Sequence, residues 1–110
     1  MDVDHIKEMV NRGWWVPTDH FNERMDERTI SILQALTAIR NGSIIKEFPK
    51  RKPNPECIIQ GYVERGIGGV NFSVPLYVVC GIGEVVFFIT VDWNMPREFS
   101  QKRKQRRFYV

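Results

Sequence analysis

The feature that most constrains the fold is a change of hydrophobic pattern at Ser43. Before Ser43, apolar residues recur at helical spacing, as Ile32, Leu33, Leu36 and Ile39 do. After it, short apolar segments are separated by glycine- and proline-rich turns, which is typical of strands. Helices followed by an antiparallel sheet define the α+β class. We therefore predict N-terminal helices packed on a mainly antiparallel sheet of about four strands.

Three helices are expected, over residues 4–12, from Thr18 or Asp19 to Arg28, and from Ser31 to Gly42. The third has the clearest signature, because Ser31 and Gln34 have the spacing of a capping box.

Four strands are expected, over residues 44–48, 57–64, 76–80 and 85–91. Residues 85–89 are apolar at every position, so both faces of that strand should be covered. The proline-rich segment 49–55 cannot continue a sheet, and residues 65–69 are predicted to form a flexible turn.

The length of 110 residues fits one domain. We expect that domain to cover residues 1–96, followed by a basic C-terminal tail over residues 97–110. No run approaches the roughly 20 apolar residues of a membrane span, and the N-terminus lacks the pattern of a secretory signal. Cys57 and Cys80 lie in apolar runs, which favours two buried free thiols, and a disulfide between them is the alternative. The expectation is a cytoplasmic protein.

The charge is concentrated in the tail. Residues 97–110 hold six basic side chains against Glu98, a net charge of +5, while residues 1–96 carry ten basic and twelve acidic side chains, a net charge of −2. Together with Phe99, Phe108 and Tyr109, this tail could bind RNA through phosphate contacts and base stacking. The alternative is a solvated, disordered C-terminus. The predicted RNA contacts are Lys102, Arg103, Lys104, Arg106 and Arg107 in the tail, and Lys46, Lys50, Arg51 and Lys52 in the body.

His20, Arg24 and Arg28 are spaced four residues apart on the second predicted helix, so they share one face. An imidazole beside two guanidiniums suits a phosphate, because arginine clamps phosphate oxygens and histidine exchanges a proton near neutral pH. The alternatives are a solvated or capping histidine and arginines paired with acidic neighbours on the same helix.

Cleavage of RNA without a metal requires a base, cations that stabilise the phosphorane and an acid. His20 is a candidate for base or acid, Arg24 and Arg28 for phosphate contacts, and Tyr77 for a proton donor or a base-stacking residue. Tyr77 lies in an apolar strand, so a packing role is the alternative. The carboxylates near His20 have the spacing of salt bridges, and we predict neither a metal nor another cofactor.

Several features together resemble a family of small bacterial domains of unknown function, akin to the MqsR and BrnT branches of the RelE-like toxin superfamily. They are His20-x-x-x-Arg24-Met25, Glu27-Arg28 before a Ser-capped helix, Gly42, Gly61, the Pro75–Val79 strand and Phe88-Ile89-Thr90-Val91. That family usually has a glycine in place of Thr29, a departure expected to be harmless. It often has an aromatic residue in place of Asp92, which falls at a strand end.

The resemblance implies a RelE-like α+β fold, an antitoxin partner encoded nearby and endoribonuclease activity on mRNA. We therefore expect the toxin of a type II toxin–antitoxin pair, a metal-independent endoribonuclease that inhibits translation. The alternative is a non-catalytic module that binds RNA or a protein.

Overall fold

The predicted order of helices and strands is present in the computed structural model, which describes residues 1–96. The elements are α1 (Val3–Asn11), β1 (Trp15–Pro17), α2 (Asp19–Arg28), α3 (Ile32–Asn41), β2 (Ser43–Phe48), β3 (Glu56–Ile67), β4 (Val70–Ile82) and β5 (Val86–Asp92). None of these three helices is long and apolar enough to span a membrane.

Each helix begins at a side chain that accepts a backbone hydrogen bond. Asp2 accepts from the amide of Asp4, and the Thr18 hydroxyl accepts from the amide of Phe21. The capping box at Ser31 is confirmed, since Ser31 and Gln34 each accept the other's backbone N–H. Such local contacts place the helix starts where the sequence predicts them.

The sheet has five strands in the order β1-β5-β4-β3-β2, so the prediction of about four strands is wrong by one. The additional strand is β1, which runs parallel to β5, while the other neighbours are antiparallel. β1 is three residues long and shows no alternating pattern of its own. Its position depends on pairing with a strand about 70 residues later.

β3 and β4 form a hairpin that is longer than predicted. They pair from Glu56–Gly81 to Ile67–Val70, and only Gly68 and Gly69, both at positive φ, form the turn. The prediction of a turn over residues 65–69 is therefore wrong for residues 65–67, which belong to β3. β5 pairs with β4 only over residues 77–82. We call the projecting part of the hairpin, residues 61–67 and 70–76, the arm.

The main core lies between the three helices and one face of the sheet. Phe88 on β5 is fully buried and stacks on Trp15 at 5.0 Å, with Phe21 of α2 at 5.3 Å. α3 approaches β3 most closely at Gly61, where an added Cβ would overlap the backbone of Ala38. Glycine at position 61 therefore permits this helix to pack directly on the sheet.

The buried residues of all three helices belong to this core, which leaves the opposite sheet face to other groups. We call that opposite face the outer face. Its apolar part is a small cluster in which Phe48, Tyr77, Ile89 and Met95 pack around the buried Ile58 and Val79. The strand predicted to be covered on both faces, β5, is covered by helices on one side and contributes Ile89 to this cluster on the other.

Candidate functional site

Four polar residues cross the outer face in one line. The strand register pairs Ser43 with Gln60, Gln60 with Tyr77, and Tyr77 with Asp92, so the line passes through β2, β3, β4 and β5. Directly opposed residues share a face of a sheet. Gln60 Nε2 donates a hydrogen bond to the Tyr77 hydroxyl oxygen at 3.3 Å. We call these four residues the cross-strand row.

Arg28 joins the row at its β5 end. Its Nη1 donates a hydrogen bond to the carbonyl oxygen of Val91 at 2.7 Å and lies 3.5 Å from Asp92 Oδ2. The last turn of α2 is held over this strand end by a second contact, since Trp93 Nε1 donates to the Arg28 carbonyl oxygen at 2.8 Å. A guanidinium, a carboxylate and a phenol therefore occupy neighbouring positions.

Lys46 lies on the outer face beside the other end of the row. It is paired with Ile58, two residues before Gln60 on β3. At about 4.8 Å between strands, the row separates Lys46 from Arg28 by roughly three strand spacings. An extended anionic chain lying across the strands would meet a cation at each end and the Tyr77 ring in the middle.

The other predicted basic residues of the body lie in the loop between β2 and β3. Arg51 forms an ion pair with Glu56 at 3.0 Å and stacks over the Phe48 ring, while Lys50 and Lys52 are exposed. Burial raises the pKa of Glu56, and the Arg51 guanidinium opposes that rise. The loop is thus anchored by one of its three cations and presents the other two to solvent.

His20 and Arg24 lie on α2, away from the row. His20 is exposed, and eight residues of helix place it about 12 Å along the axis from Arg28. Arg24 Nη1 contacts Glu27 Oε1 at 2.6 Å. The structure therefore places Arg28 and Tyr77 on either side of Asp92, and leaves His20 exposed and Arg24 paired with Glu27 on its own helix.

Neither cysteine has the setting of a nucleophile. Cys57 and Cys80 are free and fully buried in the main core. Burial raises the pKa of Cys57 to about 12 and that of Cys80 well above its usual value. Within residues 1–96, no group of three or more His, Cys, Asp or Glu side chains is placed to hold a metal ion.

A groove of about 1330 Å³ lies between α2, the α2–α3 connection and the arm. Glu23 and Asp26 line it together with Arg65, whose guanidinium stacks over Trp93 at 4.0 Å. Its acidic residues make it a poorer place for an anion than the outer face, where Lys46 lies and where Arg28 reaches the Asp92 carboxylate from α2.

Gln60 and Ser43 are the members of the row that the sequence did not indicate, and Asp92 is noted there only as a departure from the resembled family at a strand end. Gln60 and Asp92 are polar residues that interrupt or end apolar strands, which is the only signal that could have found them. The predicted contacts Lys102, Arg103, Lys104, Arg106 and Arg107 lie outside the described residues.

The chain belongs to a family defined by a domain of unknown function, DUF4258, whose model matches residues 18–91. The matched segment runs from the cap of α2 almost to the end of β5, so it contains Arg28, Gln60 and Tyr77 and ends one residue before Asp92. No curated protein gives a significant match. No solved structure does either. The family match carries no link to the MqsR, BrnT or RelE-like toxins.

Proposed function

We propose that this protein is a metal-independent endoribonuclease whose active site is the cross-strand row with Arg28. The observation that supports this proposal is the direct strand pairing of Tyr77 with Asp92 while Arg28 lies on the Asp92 carboxylate. These three groups are an acid, a base and a cation, the set that RNA cleavage without a metal requires.

Each residue has a role in the proposed reaction. The Asp92 carboxylate accepts the proton of the 2′-hydroxyl, whose oxygen then attacks the adjacent phosphorus. The Arg28 guanidinium stabilises the charged phosphorane. Tyr77, oriented by Gln60, donates a proton to the departing 5′-oxygen, which leaves a 2′,3′-cyclic phosphate on the other product.

The partner and cellular role follow from the resemblance to RelE-like toxins. We propose mRNA as the substrate, inhibition of translation as the consequence and a nearby-encoded antitoxin as the protein partner. Lys46 and the exposed Lys50 and Lys52 would contact phosphates on either side of the cleaved bond. We also propose that the basic tail, residues 97–110, contacts the RNA.

The test is cleavage of a mixed-sequence RNA by the purified full-length protein and its variants. Asp92→Asn should reduce the rate by about 10²–10⁴-fold, the loss typical of removing a general acid or base. Tyr77→Phe and Arg28→Lys should also reduce it, and EDTA should have no effect. Tyr62→Phe is the matched control, because Tyr62 follows Gln60 by two residues on the same strand and should leave activity unchanged.

His20→Ala separates the two possible sites. Loss of activity in His20→Ala with full activity in Asp92→Asn would move the reaction to α2 and overturn the role of the row. A folded wild-type protein that neither cleaves RNA nor arrests bacterial growth would overturn the proposal that this protein is an endoribonuclease. RNA binding without cleavage would then support the binding-module alternative.

A further inference from the structure

The two edges of the arm differ in whether other parts of the molecule form hydrogen bonds with their backbone groups. On the β3 edge, Asn41 accepts the Tyr62 N–H at 2.9 Å and donates to the Tyr62 carbonyl oxygen at 2.8 Å. Gln34 Nε2 donates to the Glu64 carbonyl oxygen at 2.8 Å. Side chains of α3 therefore satisfy this edge in the place of a neighbouring strand.

The β4 edge has no such cover from residues 1–96. Pairing between β4 and β5 stops at Tyr77–Asp92, so no described strand pairs with residues 70–76 on that side. The Tyr62 backbone groups point away from β4, which makes Tyr62–Pro75 a pair without mutual hydrogen bonds. By alternation, the backbone groups of Asn71, Ser73 and Pro75 point outward along the uncovered edge.

The usual protections of an exposed edge are nearly absent here. Residues 70–76 contain no charged side chain, and Val70 and Phe72 are 53% and 47% exposed. Pro75, which lacks an N–H, is the only residue that limits pairing. Asn71 and Ser73 retain both an outward N–H and an outward carbonyl. A strand edge with unpaired backbone groups of this kind is a template for another strand.

We propose that the β4 edge binds the same edge of a second copy of this chain, antiparallel, about a two-fold axis at Phe72. This register places Asn71 opposite Ser73 of the partner subunit, and Ser73 opposite the partner's Asn71. Each of these pairs exchanges two hydrogen bonds, so the register uses every outward N–H at positions 71 and 73.

The side chains match the same two-fold register. Residues 70–74 read apolar, polar, apolar, polar, apolar, which is symmetric about Phe72. The two Phe72 side chains would lie side by side, and each Val70 would lie opposite Val74 of the partner subunit. A self-complementary surface is what a two-fold interface requires, which is why a second copy fits this edge.

The residues at the two ends of this strand pairing also fit against each other. Gly69 of the partner subunit would lie opposite Pro75, which has no N–H of its own to donate. The partner's Gly68 would lie one step further, close to the end of β5. Both are turn glycines, so they bring no side chain into this space.

The test is the oligomeric state of the full-length protein, measured by sedimentation equilibrium over a range of concentrations. The wild type should form a concentration-dependent dimer. Ser73→Pro should be monomeric, because it removes one outward N–H and leaves the hydrogen bonds between β3 and β4 in place. Ser73→Ala keeps that N–H and should remain dimeric.

A second pair of variants tests the surface independently of proline. Val70→Lys should prevent dimerisation, whereas Val16→Lys should not, because Val16 is comparably exposed at 45% but lies on β1, level with Gly81 at the far end of β4 from Val70. A wild type that stays monomeric up to about 1 mM would overturn the proposal. A dimer unaffected by both Ser73→Pro and Val70→Lys would overturn it as well.

Discussion

The two faces of the sheet are built from the same strands and differ in what covers them. The helix-covered face is closed by apolar side chains from α1, α2 and α3, with Phe88 at its centre. The outer face has a small apolar cluster around Ile58 and Val79 and then, in the next register position, the cross-strand row. Packing alone explains the residues of the helix-covered face, but it does not explain the polar residues of the outer face.

This difference indicates where function should be sought. Of the four polar residues in line on adjacent strands, Tyr77 packs against the apolar cluster, and the row beside Arg28 gives charge and hydrogen-bonding capacity to one surface. The family match defines a domain without a known activity. The proposed role of the outer face therefore depends on the chemistry of its side chains.

The largest effect is expected from removing Phe88. Phe88→Ala should lower the free energy of unfolding by about 3–5 kcal/mol, because it leaves a cavity among Trp15, Phe21 and the sheet. Phe87→Ala is the matched variant, since Phe87 is adjacent in sequence but half-buried on the outer face, and should cost about 1 kcal/mol. Urea denaturation measures both, and equal losses would contradict the asymmetry between the faces.

An intermediate effect is expected at Arg28. Arg28→Ala should lower the free energy of unfolding by about 1 kcal/mol, since it removes a charge-assisted hydrogen bond to Val91 from a partly exposed site. Arg24→Ala should cost less than about 0.5 kcal/mol, because the ion pair of Arg24 is with the exposed carboxylate of Glu27 on the same helix. Thermal unfolding distinguishes them, and a greater loss in Arg24→Ala would argue against the anchoring of Arg28.

The smallest effect is a gain in stability at Thr29. This residue ends α2 at φ 55° and ψ 54°, a left-handed conformation that a β-branched side chain adopts at a cost. Thr29→Gly should raise the free energy of unfolding by about 0.5–1 kcal/mol. Thr37→Gly, inside α3, should lower it by about 0.4 kcal/mol. A loss in Thr29→Gly would show that its side chain makes a contact that outweighs the strain.

The local parts of this fold could be predicted from the sequence. The helix starts depend on caps within three residues, and the capping box at Ser31 was readable for that reason. The glycine that the resembled family usually has in place of Thr29 also has a local meaning, since the conformation observed there is the one that glycine adopts freely. The departure to Thr29 was expected to be harmless, and the backbone indicates a modest cost.

The non-local parts could not be predicted in the same way. β1 is a strand only because β5 lies beside it, and the arm is longer than expected because Arg65 and Gly66 pair with β4 before the chain turns. Tyr77 and Arg28 were named from their chemistry. Their neighbours Gln60 and Asp92 become neighbours through strand register, which depends on turn lengths and on the bulge between Ile44 and Lys46.

The proposed function requires that the outer face contacts RNA through the cross-strand row. The most direct test is an NMR titration of the isotopically labelled protein with a short single-stranded RNA in which 2′-deoxy substitution blocks cleavage. We expect the largest amide shifts on Ser43, Gln60, Tyr77 and Asp92, and we expect Tyr77→Phe combined with Asp92→Asn to reduce them. Shifts concentrated on α1 and α3, or no shifts at saturating RNA, would contradict it.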